Sequence, residues 1–565
     1  MDSATLPKVA RKRTIGPDLV AGLTAAAVVI PQAMAYATLA GLPVTVGLYT
    51  SLVPMLVYGL LGSSRVLSVS TTSTLAMLTS VELDLVDAGS SPARLLAATA
   101  TLAALVGVLL ILAGILKLGV VANFVSEPVL TGFKAGVGLA IVLAQAPVFL
   151  GLPSTKGTFL HKLLALAENL PHTSLTTFGV GIGVILALLV LKRLWPRSPS
   201  YLIALGASIV AFIALGLQAR GVDPVGVVPR GLPRPVLPDL GLLFRLLPGA
   251  AGIALMSFTE SIAVGRALSK DGDPPIQANR ELLAIGLANL GGAFLGAMPA
   301  GGGTSQTTLV RNVGGRSQVT SLVTGLTAVL VMLLVAPVLR YLPQSALAAV
   351  VIVSAIGLFH PTEFARIRHV RTMEFRWALL ACLSVPVFGT LKGIVLAVLV
   401  SLLALLLREA KPRISVLGRK PGTDVFRPRT PEHPEDETFP GLLLLRPENR
   451  IFFANVHRVR EQILERIDEL KPHVVALDLS GVPDVEYSAL KALQDAEKRA
   501  ADRGIQLWLI GLNPEVLEVV RRCGLADRLG REGMFFNCQA AVNQFERRNT
   551  PVPLVDRADL PRNRR

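Results

Sequence analysis

The stretch on which the reading of this chain turns is Gly296–Thr308, GAMPAGGGTSQTT. It holds one proline, four glycines, three threonines, a serine and a glutamine, carries no charge, and stands between long apolar runs. Glycine and proline both weaken helices, so a helix facing lipid does not tolerate this composition. The bilayer core offers no water to a free peptide group. Irregular backbone at that depth is therefore stable only within protein or along a water-filled cavity. A half-helix that begins there presents unpaired N–H groups and the positive end of its dipole. Two such half-helices aimed at one point can hold an anion without a buried arginine. A P-loop is excluded, because no GK[ST] follows and no strand precedes.

Composition supplies the setting. Of 565 residues, 52% are hydrophobic and 17% charged, and the mean hydropathy is +0.57. Apolar runs of about 18 or more residues, enough to cross a bilayer as a helix, recur from Leu19 to Leu407. LLAATATLAALVGVLLILAGIL (95–116) and LVTGLTAVLVMLLVAPVL (322–339) are two of them. The alternating ten-residue pattern of a β-barrel is absent. Lys8, Arg11, Lys12 and Arg13 precede the first run, which is too long for a cleaved signal sequence.

The formal charge of +16 does not point to nucleic acid, because the basic residues sit beside span ends. After the N-terminal arm come Lys192/Arg193/Arg197, Arg266/Lys270, Arg311/Arg316, Arg366/Arg368/Arg371/Arg376 and Arg408/Lys411/Arg413. All of these are cytoplasmic under the positive-inside rule only if both termini are cytoplasmic and the crossings even in number, about fourteen with two of them short. The expectation is a multi-pass protein of the inner (plasma) membrane. Cys382, Cys523 and Cys538 form neither a metal-ligand spacing nor an evident disulfide pair, and the seven histidines are scattered. No metal and no cofactor is expected.

The boundaries read as a cytoplasmic N-terminal segment 1–16, a transmembrane domain 17–408, a linker 409–440, an α/β domain 441–547 and a disordered tail 548–565. The linker is rich in proline and charge. GLLLLRPENRIFFANV predicts two short strands around a Pro-Glu-Asn turn, and VHRVREQILERIDEL a helix. HVVALDLSGV and IQLWLIGL are further strands, EYSALKALQDAEKRAADRG a helix closed by glycine, and NPEVLEVVRRCGLADRLG a helix with an Asn cap. Strands alternating with helices imply a largely parallel sheet. Within this domain LDLSGVPDVEYSALKAL, with Asp478, Ser480 and Gly481, resembles the STAS domain, the anti-sigma-factor-antagonist fold. Signalling members carry an acidic residue and then a phosphorylatable serine at the helix start. Glu486 matches the acid, but Tyr487 takes the serine's place and Ser488 follows. A docking or regulatory module with an unidentified cytoplasmic partner is expected.

Polar residues inside spans are costly and usually face a cavity. VVIPQAMAYATLAGLP places Pro31, Gln32 and Tyr36 in the first span, with Gln32 and Tyr36 four apart on one helical face. SSRVLSVSTTSTLAMLTS crowds hydroxyls from Ser63 to Thr74 into the third, and MSFTESIAVGRALS buries Glu260 in the eighth. A single Ser or Thr often bonds its own helix backbone, and a proline is often only a kink. Here the polar clusters fall at spans 3 and 10, seven apart, as at an inverted-repeat transporter's site. Lys134 lies near the start of the fifth span, where snorkelling to the interface is expected. Gly132, Gly136 and Gly138 are expected to permit close helix contact.

IPQAMAYATLAGLPVTVGLYTSLVP, SEPVLTGFKAGVGLAIVLAQ and GLTAVLVMLLVAPVLRYLPQSALAAVVI resemble the SulP anion-transporter family, solute carrier family twenty-six in animals. With the STAS domain, the resemblance covers nearly the whole chain. It implies a polytopic α-helical membrane protein of about fourteen spans in a 7+7 inverted repeat. Core and gate domains, half-helices at spans 3 and 10, a cytoplasmic STAS domain and a homodimer in membrane lipid complete that picture. The resemblance assigns substrate contacts to Gln32, Tyr36 and Thr72. Thr71 stands in place of a frequent proline, Ser305 matches the serine that contacts anion, and Gln306 falls where many members have arginine. With Thr304 these seven residues form the expected anion site. Glutamine donates hydrogen bonds but does not neutralise charge.

Glu260 is the expected coupling residue. Ionising a carboxyl among apolar neighbours is costly, and a bound proton would offset the charge of an entering anion. Its plain alternative is a structural glutamate bonded to a half-helix N-terminus. Gln32 cannot titrate, so coupling through the first span is excluded. The expected activity is secondary transport of a small anion, an organic dicarboxylate or an inorganic anion such as sulfate or bicarbonate, in symport with a proton or another ion. An anion exchanger, an anion channel and a nucleobase carrier of the same architecture remain alternatives. No catalytic pair or cluster appears in the spans, so an enzyme is not expected.

Overall fold

The computed structural model describes residues 15–86, 91–120, 126–153, 155, 157–195, 198–270, 272–410 and 412–549. Lys8, Arg11, Lys12, Arg13, Arg197, Lys411 and all but two residues of the expected tail lie outside the described residues. The chain divides into two compact units, Met1–Leu402 and Leu403–Arg565. The division falls inside the Thr390–Glu409 helix, a few residues before the boundary read from composition.

The first unit is helical apart from two very short strands. Among the described residues eight helices are long and apolar enough to cross a membrane, including Pro92–Ile115, Glu127–Leu150 and Leu175–Leu194. Shorter apolar helices such as Ser200–Ala214 accompany them. Two of the apolar stretches are broken as their composition demands. The chain enters strand β1 (Val69–Ser70) and then the helix Ser73–Leu85; later it enters β2 (Gly301–Gly302) and then the helix Thr304–Asn312. The strands pair antiparallel, Val69 against Gly302 and Ser70 against Gly301. The two helices therefore leave this pair at opposite ends, with their N-termini close together in the middle of the unit.

Close packing of backbones holds the bundle, as expected where lipid gives helices no hydrophobic reason to associate. A Cβ at Gly132 would lie 1.9 Å from the Ala378 carbonyl oxygen, one at Gly136 2.3 Å from that of Cys382, and one at Gly138 2.7 Å from that of Ala355. These glycines set the contact of the Glu127–Leu150 helix with its neighbours. A polar latch joins the Val44–Leu61 helix to the Ala278–Ala293 helix. The Glu281 carboxylate, 1% exposed, accepts hydrogen bonds from Tyr58 Oη (2.7 Å), Ser63 N (2.8 Å) and Ser63 Oγ (2.6 Å).

The second unit carries a six-stranded sheet in the order β4-β3-β5-β6-β7-β8. Its strands are β3 (Ile414–Arg419), β4 (Phe426–Pro428), β5 (Leu442–Pro447), β6 (Val474–Asp478), β7 (Gln506–Ile510) and β8 (Met534–Phe535). β5 to β8 run parallel, whereas β3 is antiparallel to both neighbours. Three expectations change here. The segment 409–440, expected as linker, supplies β3 and β4, because ISVLGR pairs with β5 despite its charged surroundings. IFFANV, expected as a strand, makes only an isolated bridge from Ile451 to Val485 before turning into the Val456–Leu470 helix. The Cys538–Asn549 helix takes in the first two residues of the expected disordered tail. The Tyr487–Asp502 helix begins where expected, with Glu486 bonded to Arg450 and Tyr487 81% exposed.

At the end of β6, Asp478 accepts bonds from Ser480 N (3.0 Å) and Arg446 Nε (2.8 Å). Burial works to raise this carboxyl, but the bonds from Ser480 and Arg446 and the Arg446 charge outweigh it and hold it below the usual range. Burial, with the facing Asp478 carboxylate, pushes the Cys538 thiol up to about 12.

Glu281→Ala takes the acceptor from four donors, Tyr58 Oη, Ser63 N, Ser63 Oγ and Ser64 N, and should destabilise the membrane unit by about 2 kcal/mol or more, read as a lower unfolding midpoint of the purified chain. A depressed carboxyl contributes stability above its unfolded value and loses it as pH falls through the folded one. Unfolding of the second unit should therefore become easier on acidification below about pH 4, and Asp478→Asn should flatten that slope. Cys538 should resist maleimide in the folded protein and react once it is denatured.

Candidate functional site

The site grows from the need of the broken backbone for partners. Met298 N bonds Thr50 Oγ1 (3.1 Å), Ala300 N bonds Asn289 Oδ1 (2.8 Å), and Gly302 N bonds Ser261 Oγ (2.7 Å). The Ala300 carbonyl accepts from Ser257 Oγ (2.7 Å) and Asn289 Nδ2 (3.0 Å). Ser68 N bonds Thr307 Oγ1 (3.1 Å), and Gly303 N bonds the Ser68 carbonyl (3.1 Å). Sequence reasoning passed over Ser257, Ser261, Asn289 and Thr307. The spacing of Ser257 and Ser261, four apart and flanking Glu260, was the available signal.

On this frame the half-helix Ser73–Leu85 starts at Thr72, whose Oγ1 accepts from Leu75 N (3.3 Å) and caps it. The same hydroxyl donates to Glu260 Oε2 (3.1 Å), and Thr74 Oγ1 donates to Glu260 Oε1 (3.2 Å). Glu260, 6% exposed, thus ties the Leu243–Ala267 helix to the first turn of that half-helix. Tyr36 is buried close to Ser73, Ser354, Tyr201 and Glu260. Thr71 is fully buried; its hydroxyl has no partner among the described residues, and its carbonyl accepts from Gln306 Nε2 (3.5 Å). Gln306 therefore reaches from one half-helix to the other, and its Oε1 has no partner among the described residues.

The structure brings Tyr36, Thr71, Thr72, Glu260 and Gln306 together. Gln32 is 1% exposed, and neither atom of its amide has a partner among the described residues. Thr304 and Ser305 differ from these in being exposed, on the first turn of a helix whose cap, Gly303, offers no side-chain acceptor. The first N–H groups of that helix have no intrahelical acceptor. Lys134 is half-buried, and its charge is within electrostatic reach of Glu260. A cavity of about 410 Å³ lies instead in the second unit, between the sheet and the helices bearing Ile463 and Leu493.

Comparison with known proteins assigns this arrangement. The profile of the sulfate permease family matches residues 15–381 and that of the STAS domain residues 433–541. The chain belongs to the sulfate permease family, and it is an anion transporter and not an enzyme. Its sequence is 34% identical to a probable sulfate transporter of Mycobacterium tuberculosis over 95% of this chain and 96% of the relative. It is 30% identical to the chloroplastic sulfate transporter 4.1 of Arabidopsis thaliana, over 93% and 79% of the two chains. The murine solute carrier 26 family member A9 anion transporter, solved in the inward-facing state, superposes with a TM-score of 0.86 at 26% identity, covering 96% of this chain and 93% of that one. The transmembrane domain of a cyanobacterial bicarbonate transporter shares the fold, with a TM-score of 0.59 at 24% identity over 70% and 97%.

A methyl at Gly302 would lie 2.7 Å from Leu67 Cδ1 and 2.9 Å from Ser261 Cα. Gly302→Ala should push the β2 strand away from Leu67 and from Ser261 on the Leu243–Ala267 helix, at a cost of about 1–3 kcal/mol. The expected result is a lower unfolding midpoint together with loss of anion transport; wild-type values for both would remove the strand pair from the site.

Proposed function

We propose that the protein is a proton-coupled symporter of small anions that works by alternating access, with Glu260 as the coupling residue. The observation that carries this is the Glu260 carboxyl, buried in the bundle and bonded to Thr72 and Thr74 at the start of a half-helix. Empty of anion, the ionised carboxylate faces the helix N-terminus and the Lys134 charge. Proton uptake by Glu260 releases both to an incoming anion, so proton and anion enter the site together. The anion is held by the N-termini of the two half-helices, with Gln32, Tyr36, Thr71, Thr72, Thr304, Ser305 and Gln306 as donors. Gln306 offers amide donors and no charge, so selection rests on hydrogen-bond geometry more than on charge number. The cargo is an organic dicarboxylate or an inorganic anion such as sulfate or bicarbonate; the names of the relatives favour sulfate.

The two half-helices, each following a strand of one antiparallel pair, support fourteen crossings in two inverted halves of seven. In that topology both termini are cytoplasmic, the protein resides in the inner (plasma) membrane, and two copies form a dimer. The STAS domain is a regulatory docking module.

Uptake of labelled sulfate, bicarbonate and fumarate into proteoliposomes, with and without an inward proton gradient, tests this reading. Gradient-stimulated uptake of one of them is expected. Uptake that ignores the gradient and needs an anion inside would make the protein an exchanger. Glu260→Gln should abolish the proton dependence, and unchanged pH dependence removes Glu260 from coupling. Ser305→Ala and Gln306→Ala should each weaken anion binding about five- to tenfold, the scale of one hydrogen bond. Wild-type affinity in both would move the anion elsewhere.

A further inference from the structure

A second carboxyl is enclosed in the same helix pair and has no part in the site described above. Glu82 lies on the Ser73–Leu85 helix and is 1% exposed. Its Oε1 has no hydrogen-bond partner among the described residues. The carboxyl occupies a notch made by Gly249 on the Leu243–Ala267 helix, where an added Cβ would lie 1.9 Å from Glu82 Cδ and Oε2. The hydroxyl of Thr79, three residues earlier and fully buried, also has no partner among the described residues. Residues three apart share a helix face, so both unpaired oxygens belong to the same side of the half-helix.

Cations that might neutralise Glu82 are not turned toward it. The helices packed against Ser73–Leu85 are Ile15–Leu39, Pro92–Ile115, Glu127–Leu150, Leu243–Ala267 and Gln344–Ile356. Their charged and titratable groups are Asp18 and Tyr36; Arg94; Glu127 and Lys134; Arg245, Glu260 and Arg266; and none on the last. Among the described residues none of them forms a hydrogen bond to Glu82 Oε1. Removing an unpaired charge from water is costly, and a carboxyl meets that cost by holding a proton.

Position along the helices supplies the rest. Glu82 stands nine residues beyond Ser73, about 14 Å along the axis, and Gly249 stands eleven residues from Glu260, about 16 Å. The Leu243–Ala267 helix thus carries a carboxyl, Glu260, at the site and a notch, Gly249, well beyond it, where the carboxyl of Glu82 from the half-helix is received. We propose that Glu82 is a second proton-binding residue of the transporter, through which protons pass between that end of the bundle and Glu260. A proton from water joins a Glu82 carboxylate oxygen to form an O–H bond. It then passes by way of water and hydroxyl groups to the Glu260 carboxylate, leaving Glu82 ionised for the next proton. Glu82 is a positioning group for the proton and does not touch the anion.

This inference rests on the proton-coupled reading, and the test separates the two. Full-length protein in liposomes, as wild type, Glu82→Gln, Glu82→Asp and Glu260→Gln, is examined by pH-difference infrared spectroscopy of the carboxylic C=O stretch. The same preparations are then assayed for proton-driven anion uptake and for anion-for-anion exchange, which moves no net proton. Glu82→Gln should lose one titrating C=O band that Glu260→Gln keeps. Its proton-driven uptake should fall about a hundredfold, the lower end for a positioned proton-transfer group, with KM for the anion unchanged and exchange retained. Glu82→Asp should restore part of the uptake and shift its pH profile. A spectrum of Glu82→Gln identical to wild type overturns the inference, and so does a lost band with full proton-driven uptake. Proton coupling that survives in Glu260→Gln but fails in Glu82→Gln would overturn the role of Glu260 and leave that of Glu82 standing.

Discussion

Every part of the membrane unit depends on satisfying peptide groups where the backbone is broken. At Ala297–Gly303 and Ser64–Thr72 the chain gives up helical hydrogen bonds deep in an apolar bundle, where each orphaned group costs several kcal/mol. The antiparallel contact of Val69–Ser70 with Gly301–Gly302 satisfies part of this need. Side chains from other helices satisfy much of the rest: Thr50, Ser257, Ser261, Asn289 and Thr307. Because those side chains come from four separate helices, the break fixes how the helices pack around it. Gly302 leaves no room for a Cβ, so the strand lies directly against Ser261 of the Leu243–Ala267 helix.

What this arrangement produces is a pair of helix starts with free donors, facing a buried carboxyl. Thr72 does two things at once, accepting from Leu75 N and donating to Glu260, so the cap of the half-helix and the buried carboxyl share one hydroxyl. Gln306 spans the gap to Thr71. Glu260 is therefore joined to the helix start through two hydroxyls, those of Thr72 and Thr74. The half-buried Lys134 adds a positive charge within electrostatic reach of the carboxyl. The site holds its charge balance in few groups, which suits a cargo that itself carries charge.

The second unit obeys different rules. Its sheet is built by hydrophobic strands buried within the unit's own core, and Asp478 at the end of β6 is bonded by Arg446 and Ser480. β3 and β4 lie in a stretch whose proline and charge suggest a linker, yet β3 pairs with both β4 and β5 and buries Leu417, and of the two only β4 is left at the edge. Composition therefore understates how early this domain begins.

Much of the candidate site was legible in the chain itself. A Gly-rich, uncharged, hydroxyl-bearing segment between apolar runs can only be a broken helix inside protein, so the amino-acid sequence by itself determined the polytopic helical class and the two places where the bundle opens. It also singled out Glu260 and Gln306, because a polar group in an apolar span is too costly to be idle. Tertiary structure alone decided which polar groups meet. Ser257, Ser261 and Asn289 look like ordinary helix residues, since a hydroxyl or amide on a helix can bond its own backbone. Only their placement opposite Ala300 and Gly302 makes them supports. Likewise Lys134 reads as an interfacial lysine from its distance to the span end, and only the packing of its helix brings its charge within electrostatic reach of Glu260. Periodicity reports which face of a helix a residue occupies; it carries no information about the neighbour that face will meet.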